Sequence, residues 1–174
     1  MRYLLDLDHT LLDTERLKVE AFRVGTLALV GTPAFWDRHS ATEFLYDDVL
    51  TWLNGKSPDA LHILTAYKPS QGPMAESFQR GKVESCNFIH HITSVTVVDG
   101  MKGEAAAKIA SQFSPHEPIA FIDDRLDQCL SVKTALPSAL CFLMVRDGEP
   151  PAQVPDDIYT VTSLAEVDAI IEKI

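Results

Sequence analysis

Five short apolar runs, at residues 2 to 7, 61 to 66, 94 to 98, 118 to 123 and 139 to 145, narrow most what this chain can become. Between them the apolar positions recur at helical spacing, so the period switches from two to 3.6 and back. Strands separated by helices pair in parallel, and the helices cover both faces of the sheet. The expected fold is therefore α/β, a Rossmann-like parallel sheet of five strands flanked by helices.

Polar groups recur at the carboxyl ends of these runs. The first closes in Asp6-Leu7-Asp8-His9-Thr10, and the second in Thr65. The third passes through Asp99-Gly100-Met101 to Lys102 at the expected start of a helix, and the fourth ends in Asp123-Asp124-Arg125-Leu126-Asp127. In an open parallel sheet that edge is where ligands bind. Asp6 and Asp8 are two apart, so on a strand they project to one face. Two buried carboxylates on one face require a cation or an opposite charge, and hard oxygen donors of this kind suit Mg²⁺. Taken singly, each residue has an ordinary reading: exposed acids at a strand end, a strand-end threonine, a solvated helix lysine.

The ordered set, Asp-x-Asp-x-Thr, strand-Thr, Lys, then strand-Asp-Asp, resembles the four motifs of the haloacid dehalogenase (HAD) superfamily, and it spans residues 6 to 127. The resemblance implies a strand order of 5-4-1-2-3 and a phosphatase-type hydrolase. It makes Asp6 the nucleophile that forms a transient aspartyl phosphate. Asp8 becomes the general acid and base, and its main-chain carbonyl a metal ligand. The dehalogenases of the superfamily lack an acid at the second position, so Asp8 points to phosphate monoesters. Thr65 and Lys102 would bind the phosphoryl oxygens, with His9 and Thr10 in the adjoining loop. Mg²⁺ would be held by Asp6, Asp8 and an acid of the last motif, with Asp123 ahead of Asp124. Asp127 would orient Lys102 or reach the metal through water, and an exposed acidic helix start competes for Asp124 and Asp127. His9 stands where many relatives carry glycine.

The chain of 174 residues suits a single domain. Helical patterns cover residues 14 to 31 and 34 to 54, and a terminal helix runs from Ser163 to about Lys173, capped by Ser163 with Glu166. The resemblance puts a cap after the first strand, and about residues 14 to 40 remain for it. So small a cap leaves an open site that a second subunit or a large substrate would cover. Residues 146 to 157, rich in proline and acids, read as a surface loop.

With 15 Lys+Arg against 25 Asp+Glu the net charge is −10, which repels free polyanions and argues against nucleic acid as a partner. Cys86, Cys129 and Cys141 have neither the number nor the spacing of a disulfide framework or a zinc site. His90-His91 lack a third ligand at a useful spacing. No signal-peptide pattern and no membrane-length apolar stretch occur, so a cytoplasmic protein is expected. Two other readings compete with a phosphatase: a phosphoacceptor signalling domain, and an idle HAD-like scaffold that binds a partner.

Overall fold

In the computed structural model of the chain, residues 1–174 are described, the side chain of Pro33 excepted. Six strands pair in parallel: β1 (Arg2–Leu5), β2 (Leu61–Ala66), β3 (Ser94–Val98), β4 (Ile119–Asp123), β5 (Leu140–Met144) and β6 (Ile158–Val161). Their order is β3-β2-β1-β4-β5-β6, which seats β1 between β2 and β4. The first five fall on the five apolar runs in the implied order, and the sheet gains a sixth strand beyond the expected five. Ile158-Tyr159-Thr160-Val161 is too short to give a periodic signal by itself. Pairing with β5 and burial of Ile158 and Val161 make it a strand.

Six helices complete the fold: α1 (Thr14–Arg23), α2 (Val49–Asn54), α3 (Ala75–Glu84), α4 (Gly103–Ala110), α5 (Leu126–Ala135) and α6 (Leu164–Ile171). Alternation along β1 divides the core. Tyr3 and Leu5 pack on one face with residues of α1, α2, α3 and α6, while Leu4 packs on the other with α4 and α5. Each fully buried leucine on such a strand contributes about 1.5–3 kcal/mol.

The helix expected over 14–31 stops at Arg23. Gly25 takes φ 74°, and the amides of Gly25 and Thr26 return to the carbonyls of Phe22 and Ala21, which closes the helix in a Schellman turn. The helix expected over 34–54 is broken into 3₁₀ turns at Pro33–Phe35 and Ala41–Phe44, followed by α2. Here the backbone bonds outward: Asp13 donates to the Phe44 carbonyl and Tyr46 to that of Leu11, so the segment is tied to the loop after β1. Its apolar residues stay buried, but the intrahelical ladder is forfeited. The terminal helix is capped as expected, with Ser163 Oγ accepting from the Glu166 amide and Glu166 accepting from that of Thr162. All three cysteines are free and buried. Among the described residues no helix is long and apolar enough to cross a membrane.

One close approach governs where Lys102 sits. A Cβ on Gly103 would stand 2.4 Å from the Ser131 carbonyl oxygen, so only glycine allows α4 to lie this near α5.

Candidate active site

Because every strand runs the same way, the ends of β1, β2 and β4 and the turn after β3 meet at one edge of the sheet. A cavity of about 480 Å³ opens there, lined among others by Asp6, Asp8, His9, Lys102, Asp124 and Arg125. From the first part of the chain Thr14, Leu17, Lys18, Val30 and Gly31 also line it.

Lys102 is the N-terminal flank of α4 and is buried with its charge. Its Nζ donates to Asp6 Oδ1 and, at 2.5 Å, to Asp123 Oδ2. Burial by itself would depress the ammonium's pKa, and the charges of Asp6 and Asp123 more than reverse this, leaving it raised. Gln128 on α5 braces the turn that delivers the lysine: its Oε1 accepts from the Lys102 amide at 2.9 Å, and its Nε2 donates to the Gly100 carbonyl at 3.0 Å.

Asp123 is fully buried and committed, with Oδ2 on Lys102 and Oδ1 accepting from the Arg125 amide at 2.9 Å. Asp124 is half-buried and faces the cavity. Carboxylate oxygens of Asp6, Asp123 and Asp124 lie within 4.8 Å of one another. Burial, and after it the charges of Asp6 and Asp123, push the Asp124 carboxyl up to about 8. Burial and Asp6 likewise raise that of Asp123, against the pull of Lys102. A cluster of hard donors short of positive charge in this way fits a divalent cation of the Mg²⁺ type. The geometry gives Asp124 the open carboxylate, whereas the sequence ranks Asp123 first.

Asp8 stands apart from that group and is held from three sides. Thr14 Oγ1 and Lys82 Nζ donate to its Oδ1 at 2.5 and 2.6 Å, and Gln79 Nε2 donates to its Oδ2 at 2.7 Å. Burial favours the neutral acid, but the Lys82 charge and the bonds from Lys82, Thr14 and Gln79 outweigh it and hold the carboxyl well below its usual range. A depressed folded-state pKa gives stability that is complete above the unfolded value and disappears as pH falls beneath it. Lys82→Met is therefore expected to cost about 2–3 kcal/mol near neutral pH, because a partly buried acid loses its cation. In urea titrations the gap between the variant and the wild type should begin to shrink below about pH 5, as Asp8 protonates in the unfolded chain, and should go on shrinking as pH falls toward the depressed folded-state value. A gap independent of pH would show that the pair contributes nothing.

The other sequence-derived residues divide. His9 lines the cavity at φ 55°, a left-handed conformation that glycine adopts freely, which accounts for the residue type it replaces. Thr10 is buried away from the cavity. Its carbonyl accepts from Arg146 Nε at 3.0 Å, and Arg146 also donates to Asp48 at 2.8 Å, which ties the loop to the end of β5. Thr65 is buried, and its Oγ1 accepts from Gln79 at 2.8 Å. Asp127 is not brought to Lys102; it pairs with Arg125 at the surface, and Gln128 takes the place beside the lysine's backbone. His90 and His91 are exposed on a 3₁₀ turn.

Gln79, Lys82, Gln128 and Arg146 are among the site residues that sequence reasoning did not find. Each is a common polar residue on a helix or in a loop, with no spacing that sets it apart from a solvated one. Burial alone marks them, and burial is decided by the packing of α3, α5 and the β5 end.

Neither a protein-family model nor a curated protein matches the chain by sequence. Solved structures do resemble it. The YfnB protein of Bacillus subtilis, a HAD-hydrolase bound to magnesium, is 16% identical with a TM-score of 0.61, over 98% of each chain. A haloacid dehalogenase-like family hydrolase of Xanthomonas campestris is 14% identical with a TM-score of 0.64, over 99% of this chain and 97% of its own. The SP0104 protein of Streptococcus pneumoniae, of the same description, is 16% identical with a TM-score of 0.61, over 98% and 97%. A parallel α/β sheet with an acidic site at its carboxyl edge is the class that the fold and the site define. The chain has the haloacid dehalogenase-like fold.

Proposed function

We propose that the chain is a Mg²⁺-dependent phosphohydrolase that cleaves phosphate monoesters through Asp6. The observation that carries this reading is that Asp6, Asp124 and Lys102, from the ends of β1 and β4 and the start of α4, line one cavity, with Asp123 buried behind them on Lys102. A monoester carries about two negative charges, and a carboxylate nucleophile must approach against them. Mg²⁺, held by Asp6 and Asp124 with Asp123 behind them, would supply the positive charge that offsets this repulsion. Lys102 adds a fixed cation beside the nucleophile, and Thr65 adds a hydroxyl at the end of β2.

In the first step an oxygen of Asp6 bonds to phosphorus as the ester P–O bond breaks, giving an aspartyl phosphate and an alcohol once the leaving oxygen gains a proton. In the second step water attacks that phosphorus and returns Asp6 as a carboxylate. Asp8 is the group for both proton transfers, a role typically worth about 10²- to 10⁴-fold. Its three donors keep it anionic, the form that takes a proton from water. To act as the acid in the first step it must first take up a proton from solvent, which requires one of those donors to let go, and the proton it later removes from the attacking water restores the acid for the next cycle.

Phosphate release from p-nitrophenyl phosphate is the direct test. Release is expected with Mg²⁺ and should fall to background when the metal is chelated, then return on adding Mg²⁺. Silence toward this ester and toward a broad panel of phosphate monoesters, with metal present, would refute the reading. A phosphoryl adduct that persists instead of turning over would favour a phosphoacceptor domain.

A further inference from the structure

Beyond the strand-end motifs, one polar network enters the site from α3 and joins two residues assigned to catalysis. Gln79 and Lys82, three apart on the helix face toward the sheet, are only 5% and 4% exposed. Lys82 can only donate, and its Nζ gives one hydrogen to Gln79 Oε1 at 3.0 Å and another to Asp8 Oδ1 at 2.6 Å. The ammonium thereby fixes which way the Gln79 amide faces: oxygen toward Lys82, nitrogen away. Both amide hydrogens are then spent, one on Asp8 Oδ2 at 2.7 Å and the other on Thr65 Oγ1 at 2.8 Å.

The consequence falls on Thr65. Its hydroxyl oxygen accepts from Gln79, so its own proton must point elsewhere, and among the described residues that proton has no acceptor. Thr65 is 1% exposed. An unspent donor in such a place is costly unless a ligand brings the acceptor. Were the amide reversed, its oxygen would take the Thr65 proton, and its NH₂ group would oppose the Lys82 ammonium.

We propose that Gln79, clamped by Lys82, is a positioning residue whose amide aims the Thr65 hydroxyl proton at an oxygen of the bound phosphoryl group while gripping Asp8. The assignment rests on the phosphohydrolase reading for the identity of that group. The direction of the hydrogen bonds is independent of it, since any tetrahedral oxyanion would accept the same proton.

A double-mutant cycle tests this, with Gln79→Met, Thr65→Val and the combined variant. It is read by kcat and KM on p-nitrophenyl phosphate and by calorimetric affinity for inorganic phosphate in Mg²⁺. Gln79→Met is expected to weaken phosphate binding about five- to tenfold, the scale of one misdirected hydrogen bond, and to lower kcat more than it changes KM. In the Thr65→Val background the same change should move phosphate affinity by less than about twofold, because the hydroxyl it directs is gone. A packing role would cost the same in both backgrounds, and additive losses therefore overturn the proposal. So does a Gln79→Met protein that binds phosphate like the wild type. Should Gln79→Met not fold, Gln79→Asn shortens the amide beyond reach of Thr65 and takes its place in the cycle. If the wild type releases no phosphate, the affinity cycle decides alone. Coupling there upholds the positioning role while the hydrolase reading falls, and no coupling, or no phosphate binding, defeats it.

Discussion

Asp6→Asn is expected to lower phosphate release from p-nitrophenyl phosphate by at least about 10⁴-fold, the scale on which an enzyme loses its covalent nucleophile. Asparagine keeps the volume of the side chain and can still accept from Lys102, so the substitution removes a nucleophilic charge with little change in packing. Lys102 keeps its 2.5 Å bond to Asp123. The charge of Asp6 is also one of the causes that raise the carboxyls of Asp123 and Asp124, and its removal relieves that repulsion. Thermal or urea unfolding should thus show a variant at least as stable as the wild type when no Mg²⁺ is present. Full loss of turnover without loss of stability separates chemistry from folding. Residual activity above a few per cent would move the nucleophile elsewhere, and Asp8 would be the next candidate.

Lys102→Met should have the largest effect on stability, about 3–5 kcal/mol, because it strands two buried carboxylates on opposite sides of the missing ammonium. The side chains of Lys102, Asp6 and Asp123 are 2%, 7% and 0% exposed, so water cannot take over the role of the cation. Unfolding in urea measures the loss. Adding Asp123→Asn to Lys102→Met should return part of it, since the most deeply buried of the stranded charges is then gone. Mg²⁺ should also raise the variant's midpoint more than the wild type's, because a ligand that binds only the folded state stabilises it by mass action. A loss under about 1 kcal/mol would mean that the acids stay neutral without the lysine, and that the charge triad has little hold on the fold.

Much of this architecture can be read directly from the residues. Leu61–Ala66 and Ser94–Val98 are strands where their apolar runs lie, and Ser163 caps the last helix through Glu166 as its spacing indicates. These are local signals, set by side-chain period and by hydrogen bonds between near neighbours. The stretch from 34 to 54 behaved otherwise. Its apolar periodicity is real, and Phe35, Phe44, Val49 and Leu53 are buried, but bonds to the loop after β1 cut the helix into turns. The strand β6 was silent for the same reason in reverse, since its four residues become a strand only beside β5.

The order of Asp6, Thr65, Lys102 and Asp123 along the chain, each at a strand end or in the turn after one, was enough to bring them to one edge, because parallel strands have a single carboxyl edge. What only the tertiary structure decided is how each acid is used: Asp123 bound to Lys102, Asp124 open to the cavity, Asp8 gripped by Thr14, Gln79 and Lys82, and Asp127 turned to Arg125. Sequence position fixes which sheet edge a side chain reaches, through the common direction of the strands, and which face it points to, through their two-residue period. The partner it meets there depends on which helix packs over that edge, and that is settled by burial across the whole core.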